Sequence, residues 1–182
     1  GAAGGDAAVL MLAFESADHA LDAWIARAAE LCRDHAGSVP DKALHTRHED
    51  ASTRDAAEGA WRDAFLRAPY LRDALVARGI FVETFETAIT WDKFDALHAR
   101  VVQAARDAAE TKALVSCRIT HAYPDGAAPY FTVVAPARAD GALSQWLAVK
   151  TAITDAMLAE GGTTTHHHAV GRDFRPWYEQ QV

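Results

Sequence analysis

The tripeptide Pro124-Asp125-Gly126 separates two stretches that both read as β-strand, Ala113 to Tyr123 and Pro129 to Ala135. Proline presets one turn dihedral, aspartate bonds its own backbone, and glycine accepts conformations closed to other residues, so the two stretches fold back as a hairpin. The chain must therefore contain an antiparallel pair. Ile80-Phe81-Val82-Glu83-Thr84-Phe85-Glu86-Thr87 is rich in branched and aromatic residues with partial alternation, and supplies a further strand. Between it and the hairpin, Trp91 to Glu110 has Phe94, Leu97, Val101, Ala104 and Ala108 at helical spacing. After the hairpin, Leu143, Trp146, Leu147, Ile153, Met157 and Leu158 mark a last long helix, stopped by Gly161-Gly162. The predicted class is α+β, an antiparallel sheet with helices packed on one face.

Upstream the pattern is weaker. Val9 to Phe14 is a compact apolar run and reads as a strand, with Ser16 or Asp18 as the cap of a helix carrying Leu21, Trp24, Ile25, Ala28 and Leu31 up to Gly37. Pro40 to Glu58 is polar and without period, a surface connection. Trp61, Phe65 and Leu66 suggest another helix, and after Pro69 a helical stretch runs from Tyr70 to Arg78 and closes at Gly79. A chain of 182 residues, half of them hydrophobic, has material for one domain with a real core, and a single domain over 1–182 is expected. Because it begins Gly1-Ala2-Ala3-Gly4-Gly5 without an initiator methionine, it is expected to be a fragment of something longer.

Charge narrows the partners. A net charge of -7 without a run of Lys or Arg repels a nucleic-acid backbone, and any anionic ligand must be met by a few local arginines and histidines. Cys32 and Cys117 lack metal-ligand spacing and read as reduced core residues. The apolar run at Ala7 to Phe14 is too short to span a membrane and follows no positive segment, so a cytoplasmic protein is the expectation.

The chemistry points to His166-His167-His168. Imidazole titrates near neutrality and serves as donor to an anion, proton shuttle or metal ligand, and three adjacent histidines are poor strand formers that are costly to bury unpaired. On an extended backbone His166 and His168 would share a side while His167 faced away, so no metal is expected at the triplet. Arg72 and Arg118 offer bidentate recognition of carboxylate or phosphate; the plain alternative for each is an ion pair with a neighbouring acid.

Four blocks together resemble a known family. They are Ala68-Pro69-Tyr70-Leu71-Arg72-Asp73; Val82 to Thr87 with Trp91-Asp92; Cys117-Arg118-Ile119-Thr120-His121-Ala122-Tyr123 leading to Tyr130-Phe131; and the triple histidine with Val170-Gly171. In order and spacing they are similar to the C-terminal half of FAD-linked oxidases of the vanillyl-alcohol-oxidase type, above all the alkyldihydroxyacetonephosphate synthase branch. The resemblance implies a ferredoxin-like, substrate-binding cap that roofs a flavin. FAD would be held mainly by a domain of the same parent protein, since no Gly-x-Gly-x-x-Gly or diphosphate loop occurs here. The isolated cap would be inactive.

By the same resemblance Tyr130 passes a proton near the flavin, His167 and His168 take acid/base and phosphate-binding roles, and His166 supports them. Arg72 contacts the substrate's acyl oxygens, Arg118 binds substrate, and Thr84 keeps a side-chain hydroxyl that orients it. The plain alternative for Tyr130 is an interfacial aromatic with a satisfied hydroxyl, and Tyr123 is the competing assignment. His121 with Asp125-Gly126 keeps part of a hairpin that the lactate and glycolate branch uses as a metal or substrate site. Tyr130 stands where its second histidine would be, so no metal is expected there either. The implied reaction is acyl-for-alkyl exchange at the flavin on a small anionic or acyl substrate. The alternatives are oxidation of a 2-hydroxy acid or alcohol, and a stand-alone module that binds a small anion. A homodimer through the helices or an open sheet face is compatible with either enzyme reading.

Overall fold

The computed structural model describes residues 9–40, 44, 66–67 and 70–182. The chain divides into two compact units, Gly1–Gly59 and Ala60–Val182. In the first, the strand expected over Val9 to Phe14 does not form: these residues have no regular secondary structure, and Val9 to Leu12 are exposed. A strand needs a ladder partner, and none occurs among the described residues of this unit. Ser16 closes a local turn rather than capping a helix, its hydroxyl donating to Asp18 Oδ1 at 2.8 Å and accepting from the His19 amide at 3.2 Å. Helix α1 (Asp22–Asp34) follows and carries no side-chain cap. The expected connection over Pro40 to Glu58, apart from Pro40 and Leu44, lies outside the described residues, as do Trp61 and Phe65.

In the second unit residues 70–76 are helical and end at Gly79, whose φ of +73° suits a residue without Cβ. The remaining order is β1 (Ile80–Glu86), β2 (Ile89–Thr90), α2 (Trp91–Ala109), β3 (Leu114–Ala122), β4 (Gly126–Pro136), α3 (Ala142–Ala159) and α4 (Arg175–Tyr178). β4 is central: β1 and then β2 pair antiparallel along one side, and β3 pairs antiparallel along the other. The α+β class and the hairpin at Pro124-Asp125-Gly126 hold, and the turn is closed by the Tyr123 amide donating to Gly126 O at 2.8 Å.

Because residues paired across an antiparallel ladder share a face, the register sorts the side chains. Phe81 and Phe85 of β1 and Phe131, Val133 and Ala135 of β4 form one buried face, covered by Leu97 and Val101 of α2 and Val149, Ile153 and Met157 of α3. Burying each large apolar side chain there stabilises the unit by roughly 1.5–3 kcal/mol. The alternate residues Thr84, Glu86, Tyr130, Thr132, Ser116 and Arg118 lie on the opposite face. That face carries the candidate site.

The stripe expected on α3 is partly wrong. Leu143 and Leu147 are exposed, whereas Gln145 and Lys150 are buried. Gln145 is tolerated because it is fully bonded: its amide donates to Ala109 O at 2.7 Å and Pro136 O at 3.1 Å and accepts from the Arg138 amide at 3.0 Å. The Lys150 ammonium lies 4.2 Å from the Phe174 ring centroid and 3.6 Å from Asp173 Oδ2. Both cysteines are free and half-buried, and burial pushes the Cys117 thiol up to about 11. Among the described residues no helix is long and apolar enough to cross a membrane.

Candidate functional site

The histidine segment reaches the sheet through two glycines. Gly161 has φ +83°, and a Cβ on Gly162 would stand 2.8 Å from both Leu97 Cδ1 and Thr87 Oγ1 and 3.0 Å from Met157 O. The chain thus turns tightly off α3 and runs against the break between β1 and β2. The three threonines then fasten it in sequence. Thr163 exchanges bonds with Ala88, its amide donating to Ala88 O at 3.1 Å and its hydroxyl accepting from the Ala88 amide at 2.8 Å. Thr164 bonds the Gln181 side chain through both amide and hydroxyl. Thr165 donates to Glu86 Oε1 at 2.5 Å.

Glu86 is the centre of the arrangement. Its Oε1 also accepts the backbone amides of His166 at 2.7 Å, His167 at 2.9 Å and His168 at 2.8 Å. Three successive amides aimed at one oxygen make an anion nest, here filled by a side chain of the neighbouring strand. The segment is consequently bent, not extended, and the expected alternation of the three rings does not occur. Burial alone would raise the Glu86 carboxyl; the Thr165 hydroxyl and the amides of 168, 166 and 167 outweigh it and hold the group down at about 2. A permanent carboxylate, 3 % exposed, therefore sits beneath the imidazoles.

Above it the rings cluster. His167 Nδ1 lies 2.8 Å from Glu86 Oε2 and 3.2 Å from His166 Nδ1, and His166 Nε2 lies 3.1 Å from the Tyr123 hydroxyl. His168 meets the Tyr130 ring edge to face at 5.6 Å, and the Arg118 guanidinium stacks on the same tyrosine at 4.3 Å. Glu86, Tyr130 and Arg118 are lateral neighbours across β1, β4 and β3, so this grouping follows from the register.

A bulge brings in His121. Between Ile119 and His121 the β3 register slips by one residue, so that Ile119 pairs with Pro129 but His121 pairs with Ala128. Without the extra residue, alternation from Arg118 would turn His121 toward the helices; the slip re-aims it to the Tyr130 face. Its ring centroid lies 5.0 Å from that of His166 and 5.1 Å from that of His167.

Tyr130, Arg118, His166, His167 and His168 are thus gathered, and Thr84 lies on the same face two residues before Glu86. Arg72 is not with them. Its guanidinium lies 3.6 Å from Glu83 Oε2, and Glu83 falls with Phe81 and Phe85 on the helix-covered face, where it also accepts from Trp146 Nε1. This is the ion-pair alternative weighed for Arg72 from sequence. The sequence reading missed Glu86 and Thr165, because no local signal tells a strand glutamate that three amides some 80 residues later will close around it. Outside the cluster, His98 of α2 is half-buried, its ring stacked on Phe94 at 6.0 Å and 5.8 Å from that of Phe131.

Comparison with known proteins bears out the family resemblance. The family described as "FAD linked oxidases, C-terminal domain" matches residues 2–182. Alkyldihydroxyacetonephosphate synthase of Caenorhabditis elegans is 34% identical over 114 residues, 59% of this chain and 19% of the relative. The synthase of Trypanosoma brucei brucei is 32% identical over 125 residues, 66% of this chain and 20% of the relative. The chain therefore spans about a fifth of the length of these relatives. A solved alkyldihydroxyacetonephosphate synthase shares the fold with a TM-score of 0.53 at 21% identity, over 66% of this chain and 22% of that one. With its whole length matched by one family and its α+β sheet shared with a solved relative of the same name, this chain belongs to the FAD-linked oxidase C-terminal domain family.

Proposed function

We propose that the chain is the substrate-binding cap of an FAD-dependent enzyme that exchanges acyl for alkyl, a reading supported by its similarity to proteins named alkyldihydroxyacetonephosphate synthase. The observation that carries this reading is the convergence of Tyr130, Arg118 and the three imidazoles on the one sheet face opposite the helices. A phenol, a guanidinium and imidazoles side by side suit a planar, partly anionic guest: the cation orients an acyl or phosphate oxygen while the phenol and imidazole move a proton. FAD fits as a group docked against this face and held by another part of the parent protein. When bound it supplies the electrophilic and redox-active centre.

The chain's own contribution is positional and acid–base. Tyr130 holds or releases a proton at its hydroxyl, and His168, packed edge to face against its ring, is the nearby imidazole. Arg118 fixes the phenol plane by stacking and presents its remaining donors to the substrate anion. His167 contributes through its ring, because its amide and those of its neighbours are consumed by Glu86. Thr84 adds a hydroxyl along β1. Arg72 acts at the β1 edge through Glu83, which makes it a positioning residue in this reading.

The test uses the full-length flavoprotein. Acyl-for-alkyl exchange should be found, Tyr130→Phe should reduce it by about 100-fold or more with little change in folding stability, and Arg72→Ala should cost much less. Reduction of the flavin by 2-hydroxy acids or alcohols without exchange would replace this reading by an oxidoreductase on the same scaffold.

A further inference from the structure

We propose that Glu86 is a positioning residue for the chemistry of this face: it fixes the ring proton of His167 on Nδ1 and so leaves Nε2 bare, the nitrogen that accepts a proton in the reaction. This role rests on the acid–base function proposed for the face. Of the three rings in the histidine segment, only that of His167 is within hydrogen-bond reach of the carboxylate. Its Nδ1 lies 2.8 Å from Oε2, against 3.8 Å from His166 Nδ1 to Oε2 and 4.0 Å from His168 Nδ1 to Oε1.

The two carboxylate oxygens have different tasks. Oε1 accepts the Thr165 hydroxyl and the amides of His166, His167 and His168, and so holds the backbone. Oε2 takes one amide, that of His167 at 3.1 Å, and meets the ring. A carboxyl kept ionised has no proton to offer, so at 2.8 Å the imidazole nitrogen must be the donor. A neutral ring with its proton on Nδ1 carries a lone pair on Nε2, and among the described residues Nε2 of His167 has no hydrogen-bond partner. His121 and His168 approach the same ring at 5.1 Å and 4.5 Å between centroids, and neither makes a hydrogen bond that competes with Oε2.

The consequence reaches His166. Its Nδ1 lies 3.2 Å from His167 Nδ1, and two facing nitrogens that both carried protons would repel, so in the neutral pair His166 is bare at Nδ1 and protonated at Nε2. That nitrogen then donates to the Tyr123 hydroxyl at 3.1 Å. One carboxylate of β1 thus sets the proton positions of two adjacent imidazoles, as the buried carboxylate of a hydrolytic triad holds its histidine in the productive tautomer.

Long-range 1H–15N spectra of the full chain at about pH 8, where an ordinary imidazole is neutral, read the tautomers without flavin or turnover. His167 should show a protonated Nδ1 and a bare Nε2, and His166 the reverse. A His167 protonated at Nε2 overturns the proposal, whatever reaction the parent protein performs. Glu86→Gln, with its oxygen kept in the nest, turns an amide NH2 toward the ring and should invert the His167 pattern. Thr165→Val, which loosens the nest but spares Oε2, should keep it; inversion in both variants would reduce Glu86 to a purely structural residue. In the full-length flavoprotein, Glu86→Gln should lower kcat by about 100-fold or more with KM within about threefold, the loss of a general base held in the wrong tautomer, and Thr165→Val should cost far less. An unchanged kcat in Glu86→Gln sinks the positioning role and leaves the exchange reading standing. Oxidation of 2-hydroxy acids in place of exchange, with the same loss in Glu86→Gln, replaces the reaction and keeps the role.

Discussion

Removing the charge from Glu86 should weaken the bonds from three consecutive amides and the Thr165 hydroxyl at once. Hydrogen bonds to an ionised group are worth about 1.5–3 kcal/mol each when broken singly, but the four share one oxygen. Glu86→Gln is therefore expected to lower unfolding free energy at neutral pH by about 2–3 kcal/mol, measured by urea denaturation. The pH dependence has a definite sign. The folded carboxyl is held at about 2 against an ordinary value of 4.5, so its contribution, about 3 kcal/mol, is present above pH 4.5 and is lost as pH falls toward 2. Denaturation between pH 6 and pH 2 should show that slope in the unaltered chain and not in Glu86→Gln. Emptying the nest has a second signature: Glu86→Ala should be restabilised by millimolar formate or acetate, whereas a variant equally destabilised in the core, such as Val133→Ala, should not.

At the scale of elements, the link between α3 and the histidine segment depends on close approach. A methyl on Gly162 meets Met157 O, a backbone atom that cannot rotate away, as well as Leu97 and Thr87. Gly162→Ala should shift the segment relative to β1 and weaken the Thr163 to Ala88 bonds. Faster amide exchange at Ala88 and at residues 166–168, with the α2 amides unaltered, is the measurement. Gln145 ties three elements at the other end of α3, reaching the last carbonyls of α2 and β4 and the amide of Arg138. Gln145→Ala leaves those buried groups unpaired and should cost about 3 kcal/mol in chemical denaturation. Gln145→Leu should do no better, since the defect is unmet polarity rather than missing volume.

For the whole molecule, the two faces of the sheet divide the work. One is closed by α2 and α3 and makes the core; the other presents a narrow polar site and, further along β3, the exposed Leu114. The nest of amides at residues 166–168, a structure that elsewhere cradles phosphate, is filled by Glu86 and is closed to a cofactor's diphosphate. The chain produced alone should accordingly retain no flavin absorbance and show no turnover. Joined to the remainder of its parent protein, it should show both. Turnover by the chain alone would refute the division of labour proposed for the cap.

The sequence by itself determined the class of fold, because period-two and helical patterns and a Pro-Asp-Gly turn are local properties that tertiary structure here had no reason to override. It also marked the three adjacent histidines and left Arg118 open between ligand and ion-pair partner, while Tyr130 was singled out only by the family resemblance. It misjudged Val9 to Phe14, since an apolar run becomes a strand only where a partner strand lies beside it. Only the tertiary structure decided that Glu86 organises the site, that a one-residue slip in β3 turns His121 to the Tyr130 face, and that Arg72 pairs with Glu83 on the helix-covered face. All three depend on which groups meet across strands and loops distant in sequence, and a buried carboxylate or a bulged strand has no local signature until its partners are in place.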